Sequence, residues 1–224
     1  MKKKLLAFIS IFPTLVFGID ALTLSDLNSH FDTACREPTP MHEHVPVLRR
    51  LAARCSSVVE IGLYDMVSSW GILYGLAESR ASERSYVGID IRSPQESILA
   101  SAQDIAEKCG ISFKFIQADD MEIDIEPADL LFIDSLHTYS HLSYELEKFS
   151  PKINRFIAMH DTSDPWGSRD DDAYTGDYSE YPSEVDTSKR GLWNAVTDFL
   201  AKHPEWELYE RRLNGYGFTI LRRK

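Results

Sequence analysis

Apolar positions in this chain come in short unbroken runs, and between the runs they recur at helical spacing. The run at 58–62, Val-Val-Glu-Ile-Gly, carries one carboxylate, Glu60, turns at Gly62 and restarts as a helix near Ser68. Residues 85–90 read as a second strand ending in Asp90. Ser93-Pro94 then opens a helix as a capping hydroxyl followed by proline, running through Ile98, Ala102 and Ile105 to Gly110. A third strand at 113–116 leads into Asp119 and Asp120. The fourth, 128–134, is apolar on both faces, as a central parallel strand should be. A helix at 139–149 stops before Pro151, and a fifth strand covers 155–161. Strands alternating with helices in this way predict a parallel sheet. A helix at 191–203 with Leu192, Val196 and Phe199 on one face follows. The strands 206–213 and 216–221, joined by a two-residue Asn214-Gly215 turn, then add an antiparallel hairpin.

Three stretches depart from this alternation. Lys2, Lys3 and Lys4 precede an apolar run from 5 to 17 with a small residue at Gly18, the layout of a secretory signal peptide or retained anchor over residues 1–20. The run is too short to span a bilayer comfortably, so no integral membrane domain is expected beyond it. Residues 21–55 form a helical extension. Ser25 and Asp26 are placed to cap its first helix, Pro38, Pro40 and Pro46 lead to a second, and Leu48, Leu51 and Ala52 give that second helix a face to pack on a sheet edge. His42, Glu43 and His44 between them read as a solvent-exposed loop. Residues 163–190, rich in Asp, Ser, Tyr, Gly and Pro, read as a lid or binding loop over a domain spanning 56–224, with Trp166, Tyr174, Tyr178 and Tyr181 suited to stacking on a ring.

At 224 residues and a formal net charge of -11, the chain suits one α/β domain and a small-molecule partner. The acidic balance argues against nucleic acid, whose phosphates need clustered Lys and Arg. Cys35, Cys55 and Cys109 are scattered and odd in number, which argues against a disulfide framework or a Cys-based metal site and leaves buried or half-buried thiols. Self-association is left open.

In open α/β sheets ligands bind at the carboxyl ends of the strands. Those ends carry Glu60 and Gly62, Asp90, Asp119 and Asp120, Asp134 with His137, and His160 with Asp161. Asp90 suits the two hydroxyls of a ribose, or else a charge on a helix dipole. Asp119 or Asp120 could accept from an adenine amino group or belong to a plain turn. Asp134 and Asp161 offer hard oxygen ligands for Mg²⁺, Mn²⁺ or Ca²⁺, and His160 could add nitrogen. His137 could act as general base, or the Asp-His pairs could brace two loops.

With these residues assembled, the chain resembles the class I S-adenosylmethionine-dependent methyltransferases. Within them it is most similar to the small O-methyltransferase group that includes cephalosporin-hydroxylase-like and macrolide-sugar methyltransferases. The pieces are Val-Val-Glu-Ile-Gly, Tyr-Val-Gly-Ile-Asp, Asp-Leu-Leu-Phe-Ile-Asp-Ser-Leu-His, Met-His-Asp-Thr and Gly-Tyr-Gly-Phe-Thr-Ile-Leu, spread over 56–222. The resemblance implies a Rossmann-like fold with a mostly parallel seven-stranded sheet, helices on both faces and a C-terminal antiparallel hairpin. It implies S-adenosylmethionine over Glu60, Gly62 and Asp90, its methionine end near Ser68 and Ser69. A divalent metal, Mg²⁺ by preference, is implied on Asp134, His160 and Asp161, with His137 taking the proton from a small hydroxylated substrate.

Two departures qualify this. Tyr64-Asp65-Met66 stands where such members carry glycines; Asp65 can tolerate the left-handed conformation at a cost of roughly 1 kcal/mol, whereas Tyr64 and Met66 bring bulk to the pocket wall. The signal-like segment points to an exported or membrane-anchored protein, whereas the cofactor is cytosolic; without a functional signal the protein is cytoplasmic. An alternative is therefore an exported binding protein on a methyltransferase fold with an eroded cofactor site. A metal-dependent hydrolase is a weaker third reading, since no Gly-x-Ser-x-Gly elbow or His-Glu-x-x-His helix is present.

Overall fold

A computed structural model of the chain describes residues 19–171, 173 and 178–224, so most of the signal-like segment, and Tyr174, lie outside the described residues. The elements are α1 (Ala21–Arg36), α2 (Val45–Ala52), β1 (Ser57–Ile61), α3 (Val67–Glu78), β2 (Ser85–Asp90), α4 (Glu96–Lys108), β3 (Ser112–Gln117), β4 (Ala128–Ile133), α5 (Tyr139–Phe149), β5 (Ile153–His160), α6 (Leu192–Lys202), β6 (Trp206–Arg212) and β7 (Phe218–Arg223). They build one seven-stranded sheet in the order β3-β2-β1-β4-β5-β7-β6. β1 to β5 are parallel, and β7 runs antiparallel between β5 and β6. Strand order reverses between β1 and β4, which opens a crevice at their carboxyl ends.

The continuous apolar runs become strands because both sheet faces are covered. On β4, Leu130 and Phe132 join the side chains of α1 to α4, among them Leu27, Leu48, Ile72 and Ile105. Leu131 and Ile133 point the other way, to Leu142 and Leu146 of α5 and Val196 and Phe199 of α6. α3 is buried nearly all round because α2 lies across it. A Cβ on Gly71 or Gly75 would stand 2.6 Å from the Val45 carbonyl oxygen or 2.3 Å from that of Arg49. The apolar face of α2 therefore meets α3 rather than a sheet edge. All three cysteines are free, with Cys55 and Cys109 buried and Cys35 half-buried.

Local chemistry moved several boundaries. Asp20 caps α1, accepting from the Leu22 and Thr23 amides, so Ser25 and Asp26 fall inside the helix. α4 begins at Glu96 after an extended Gln95, not at Ser93-Pro94. Asp90 closes a turn onto the Arg92 amide at 2.8 Å, which keeps the chain out of helical conformation there. In the terminal hairpin, positive φ falls on Gly215 (53°) and Tyr216 (61°). The Gly217 amide donates to the Asn214 carbonyl at 2.9 Å. The turn thus centres one residue later than Asn214-Gly215, and the Asn214 carbonyl, which closes it, also meets His44 Nε2 at 3.0 Å. His44 is consequently fully buried, its ring stacked on Phe218 and edge-on to His160, instead of sitting in an exposed loop.

Candidate active site

The carboxyl ends of the parallel strands border a cavity of about 770 Å³. Gly62, Ser68, Asp90, Asp119, Asp120, Asp134, His137, His160 and Asp161 line it, whereas Glu60 and Ser69 do not. Glu60 is fully buried, and its carboxylate accepts from the hydroxyls of Ser68, Ser69 (2.7 Å) and Tyr86. Burial pushes its carboxyl up to about 7 although the three hydroxyls pull it down. Glu60 therefore ties β1 and β2 to the first turn of α3 from inside the wall, a different place from the cofactor-facing one read from sequence. Tyr86, which closes this box, looks in sequence like an ordinary core aromatic.

The loop after β1 is held by Asp90. Its Oδ2 accepts from the Leu63 and Tyr64 amides at 2.8 and 2.9 Å. Gly62 is required by space, since a Cβ there would lie 2.0 Å from the Asp134 carbonyl oxygen, and its φ is +85°. The left-handed residues are Tyr64 (φ 43°) and Met66 (φ 61°), not Asp65. Met66 is fully buried in the core beneath the loop, and Tyr64 is 69% exposed with Arg92 over its ring. The crowding expected of Met66 is thus absent from the cavity wall. Asp119 accepts from the Met121 amide at 2.9 Å, closing a turn at the rim.

Asp134, His137, His160 and Asp161 come together as their spacing suggested. His137 Nε2 lies 2.8 Å from Asp161 Oδ2 and 3.6 Å from Asp134 Oδ1. His160 Nδ1 lies 3.3 Å from Asp161 Oδ2 and 3.5 Å from Asp134 Oδ2. Burial alone would lower both imidazoles, but the two carboxylates hold His137 up at about 9 and His160 at about 10. Burial opposes ionisation of Asp134 and Asp161 as well, and the imidazoles still hold both below the usual carboxylate value. The set whose ligand atoms all lie within 4.8 Å of one another is Asp134, His137 and Asp161. This puts His137 among the candidate ligands, where the sequence reading had His160. Asp161 Oδ1 is buried without a hydrogen-bond partner, and Asp161 holds φ +56°, a strained conformation for a non-glycine residue. An orphaned acceptor beside two further donors of a lone pair fits a divalent cation.

The sequence matches no protein-family profile and no curated protein. Solved structures do match. An O-methyltransferase from Bacillus cereus, in complex with SAH, superposes with a TM-score of 0.53 at 12% identity over 94% of both chains. TomG of Streptomyces achromogenes, an O-methyltransferase in complex with SAM, gives 0.53 at 14% identity over 92% of this chain and 90% of its own. SAH-bound PaMTH1 of Podospora anserina gives 0.52 at 14% over the whole of both chains. This chain has the class I methyltransferase fold.

On that methyltransferase fold, described residues of the segment 163–190 border the cavity. Trp166 stacks on His137 with ring centroids 5.7 Å apart, and Trp166, Glu180 and Tyr181 join the lining. Asp170 anchors the segment by accepting from the Tyr139 and Gly191 amides, each at 2.8 Å. Tyr178 packs against Tyr181 and Arg190 outside the lining. Asp120 pairs on the cavity lining with His141, its Oδ2 3.0 Å from Nε2. Burial would raise the Asp120 carboxyl, but His141 holds it down at about 2. His141 and Glu145, missed in the sequence, stand one helical turn apart on α5, and that i, i+4 spacing behind Asp120 was the available signal.

Proposed function

We propose that the chain is an S-adenosylmethionine-dependent methyltransferase that moves a methyl group to a hydroxyl of a small molecule with the help of a divalent cation. The observation that carries this is the Asp134, His137 and Asp161 set with its orphaned Asp161 oxygen, on the cavity wall at the carboxyl ends of β4 and β5, beside the point where strand order reverses. The structural neighbours in complex with SAM or SAH support the cofactor. So does the lining, where Asp65, Asp90, Asp119 and Asp134 face a space that suits a sulfonium cation. Its volume falls within the roughly 300–1,000 Å³ of small-molecule sites. Asp90, with a lone pair beyond its main-chain bonds, is suited to a ribose hydroxyl.

Asp134, His137 and Asp161 would hold the cation, which when bound lowers the pKa of the acceptor hydroxyl and orients it. Nε2 of His137 holds a proton between the two carboxylates, and loss of that proton frees the nitrogen to ligate or to take the acceptor's proton. His160, only 4% exposed, positions both carboxylates from below. Trp166 covers one face of the His137 ring, and the in-line approach of hydroxyl to methyl is set by the walls. Calorimetric titration of the purified protein with S-adenosylmethionine and S-adenosylhomocysteine, with and without Mg²⁺, tests the reading. Absence of binding under every condition sinks it.

The exported, cofactor-blind binding protein remains the second reading, favoured by Asp90, whose two oxygens already accept three main-chain amides. It predicts silence in the same titration. The signal-like N-terminus supports export or anchoring in either reading, and fractionation of the producing cells checks it. Among the described residues no helix is long and apolar enough to cross a membrane.

A further inference from the structure

We propose that Asp120, His141 and Glu145 form a second cation site, of the zinc type, separate from the Asp134, His137 and Asp161 set. One ligand atom from each of the three lies within 4.8 Å of the others. His141 Nε2 stands 3.0 Å from Asp120 Oδ2 and 3.8 Å from Glu145 Oε1. Around a tetrahedral zinc with bonds of about 2.0–2.1 Å, ligand atoms stand about 3.4 Å apart. The two observed separations straddle that value, so small shifts would seat the ion.

Charge and burial point the same way. Asp120, His141 and Glu145 are 8%, 5% and 0% exposed. Two carboxylates share one imidazole, and Lys148 gives its ammonium to the main-chain carbonyls of Asp120 and Met121 at 2.8 Å rather than to either carboxylate. Glu145 Oε1 accepts from Ser135 Oγ at 2.7 Å, while Oε2 is buried with no hydrogen-bond partner. Burial and the neighbouring Asp120 carboxylate push the Glu145 carboxyl well above the usual carboxylate range, so this glutamate keeps a proton beside Asp120 until a cation displaces it.

The far side of His141 completes the pattern. Its Nδ1 lies 3.0 Å from the Tyr181 hydroxyl. Metal-bound imidazoles as a rule donate their other N–H to such a partner, which fixes the ring and its tautomer. Asp120, His141 and Tyr181 all line the cavity, so an ion has a way in. The site joins the segment after β3 to α5 and, through Tyr181, to the segment bordering the cavity. It does not depend on the methyl-transfer reading.

The test is a Zn²⁺ titration of the full-length protein after chelator treatment, repeated with Co²⁺ to read visible absorption. Wild type is expected to take two equivalents. Asp161→Asn should keep one, with the intense Co²⁺ bands of a four-coordinate ion, and Glu145→Gln should lose that equivalent, its affinity falling at least 100-fold. The double variant should take none. Tyr181→Phe should weaken the same equivalent about tenfold. If Glu145→Gln binds as wild type does, Asp120 and Glu145 share a proton instead and the proposal is overturned. It is equally overturned if the Asp161→Asn protein takes up no ion, a result that does not require the Glu145 variant to fold.

Discussion

Glu60, inside the wall on β1, and Asp161, on the cavity lining after β5, are both buried, and the fold treats them in opposite ways. Glu60 is surrounded by three hydroxyl donors, so its two oxygens are spent on holding α3 against β1 and β2. Asp161 meets two imidazoles through one oxygen and leaves the other without a partner, on a backbone held at φ +56°. Burial does not separate the two residues, since they are 0% and 4% exposed. Completeness of pairing does. An acid whose lone pairs are filled by its own fold acts as a brace, and one left short is where a ligand has something to gain.

The sharpest break of this contrast comes from Asp161→Asn. Loss of a ligand that supports several kcal/mol of charge stabilisation should lower methyl transfer at least about 100-fold and remove its dependence on added cation. Binding of S-adenosylhomocysteine, measured by calorimetry, should stay within about threefold of wild type. Equal loss of both would place Asp161 on the bracing side with Glu60. The reciprocal variant is Glu60→Ala, which leaves the Ser68, Ser69 and Tyr86 hydroxyls without their shared acceptor. Stability in urea should fall by about 1–3 kcal/mol, and cation binding should be untouched. A Glu60→Ala protein as stable as wild type would remove the brace from the comparison.

This difference between acids is what the sequence could not display. The strand ends, the mostly parallel sheet and the meeting of Asp134, His137, His160 and Asp161 were legible, because unbroken apolar runs that end in polar residues report burial on two faces and then its end. Whether Glu60 faces outward or inward depends on Tyr86, twenty-six positions along the chain, and no local period encodes that pairing. Asp90 was legible as a rim residue, but its bonds to the Leu63 and Tyr64 amides depend on how tightly the loop folds. His44 was misread as exposed because its burial is made by the Asn214 carbonyl and Phe218 from the far end of the chain. His141 and Glu145 were missed for a simpler reason: the rule that ligands bind at strand ends does not reach them, since these two lie on α5 behind Asp120.

Titration sharpens the comparison with smaller effects. Glu60, raised to about 7 from 4.5, contributes stability that is complete below pH 4.5 and lost as pH rises through about 7. His137 and His160, raised from 6.5 to about 9 and about 10, contribute fully below pH 6.5 and lose it as pH rises through 9 to 10. Asp134 and Asp161, lowered from 3.8, contribute above that pH and lose it as the pH falls through their lowered values. The unfolding midpoint of the cation-free protein should therefore decline in two stages with rising pH. Glu60→Gln should reduce the stage near 7, leaving the share of Glu145, whose carboxyl burial also raises, and Asp161→Asn should reduce the later one. Variant profiles parallel to wild type at both stages would show that neither group carries the slope.

The smallest effect concerns the loop between the two acids. Tyr64 holds φ 43° with 69% of its surface exposed, so it pays left-handed strain without core contacts in return. Tyr64→Gly removes that strain, worth about 1–2 kcal/mol, and gives back about 0.5–1 kcal/mol through the added freedom of glycine in the unfolded chain. The net change in stability should lie between about 0 and 1.5 kcal/mol, on the stabilising side, by urea unfolding. Its effect on cofactor affinity decides more. If the tyrosine only covers the rim, calorimetry should find S-adenosylhomocysteine binding within about threefold of wild type. A gain of tenfold or more would mean that Tyr64 obstructs the site, and that the loop held by Asp90 opposes cofactor binding.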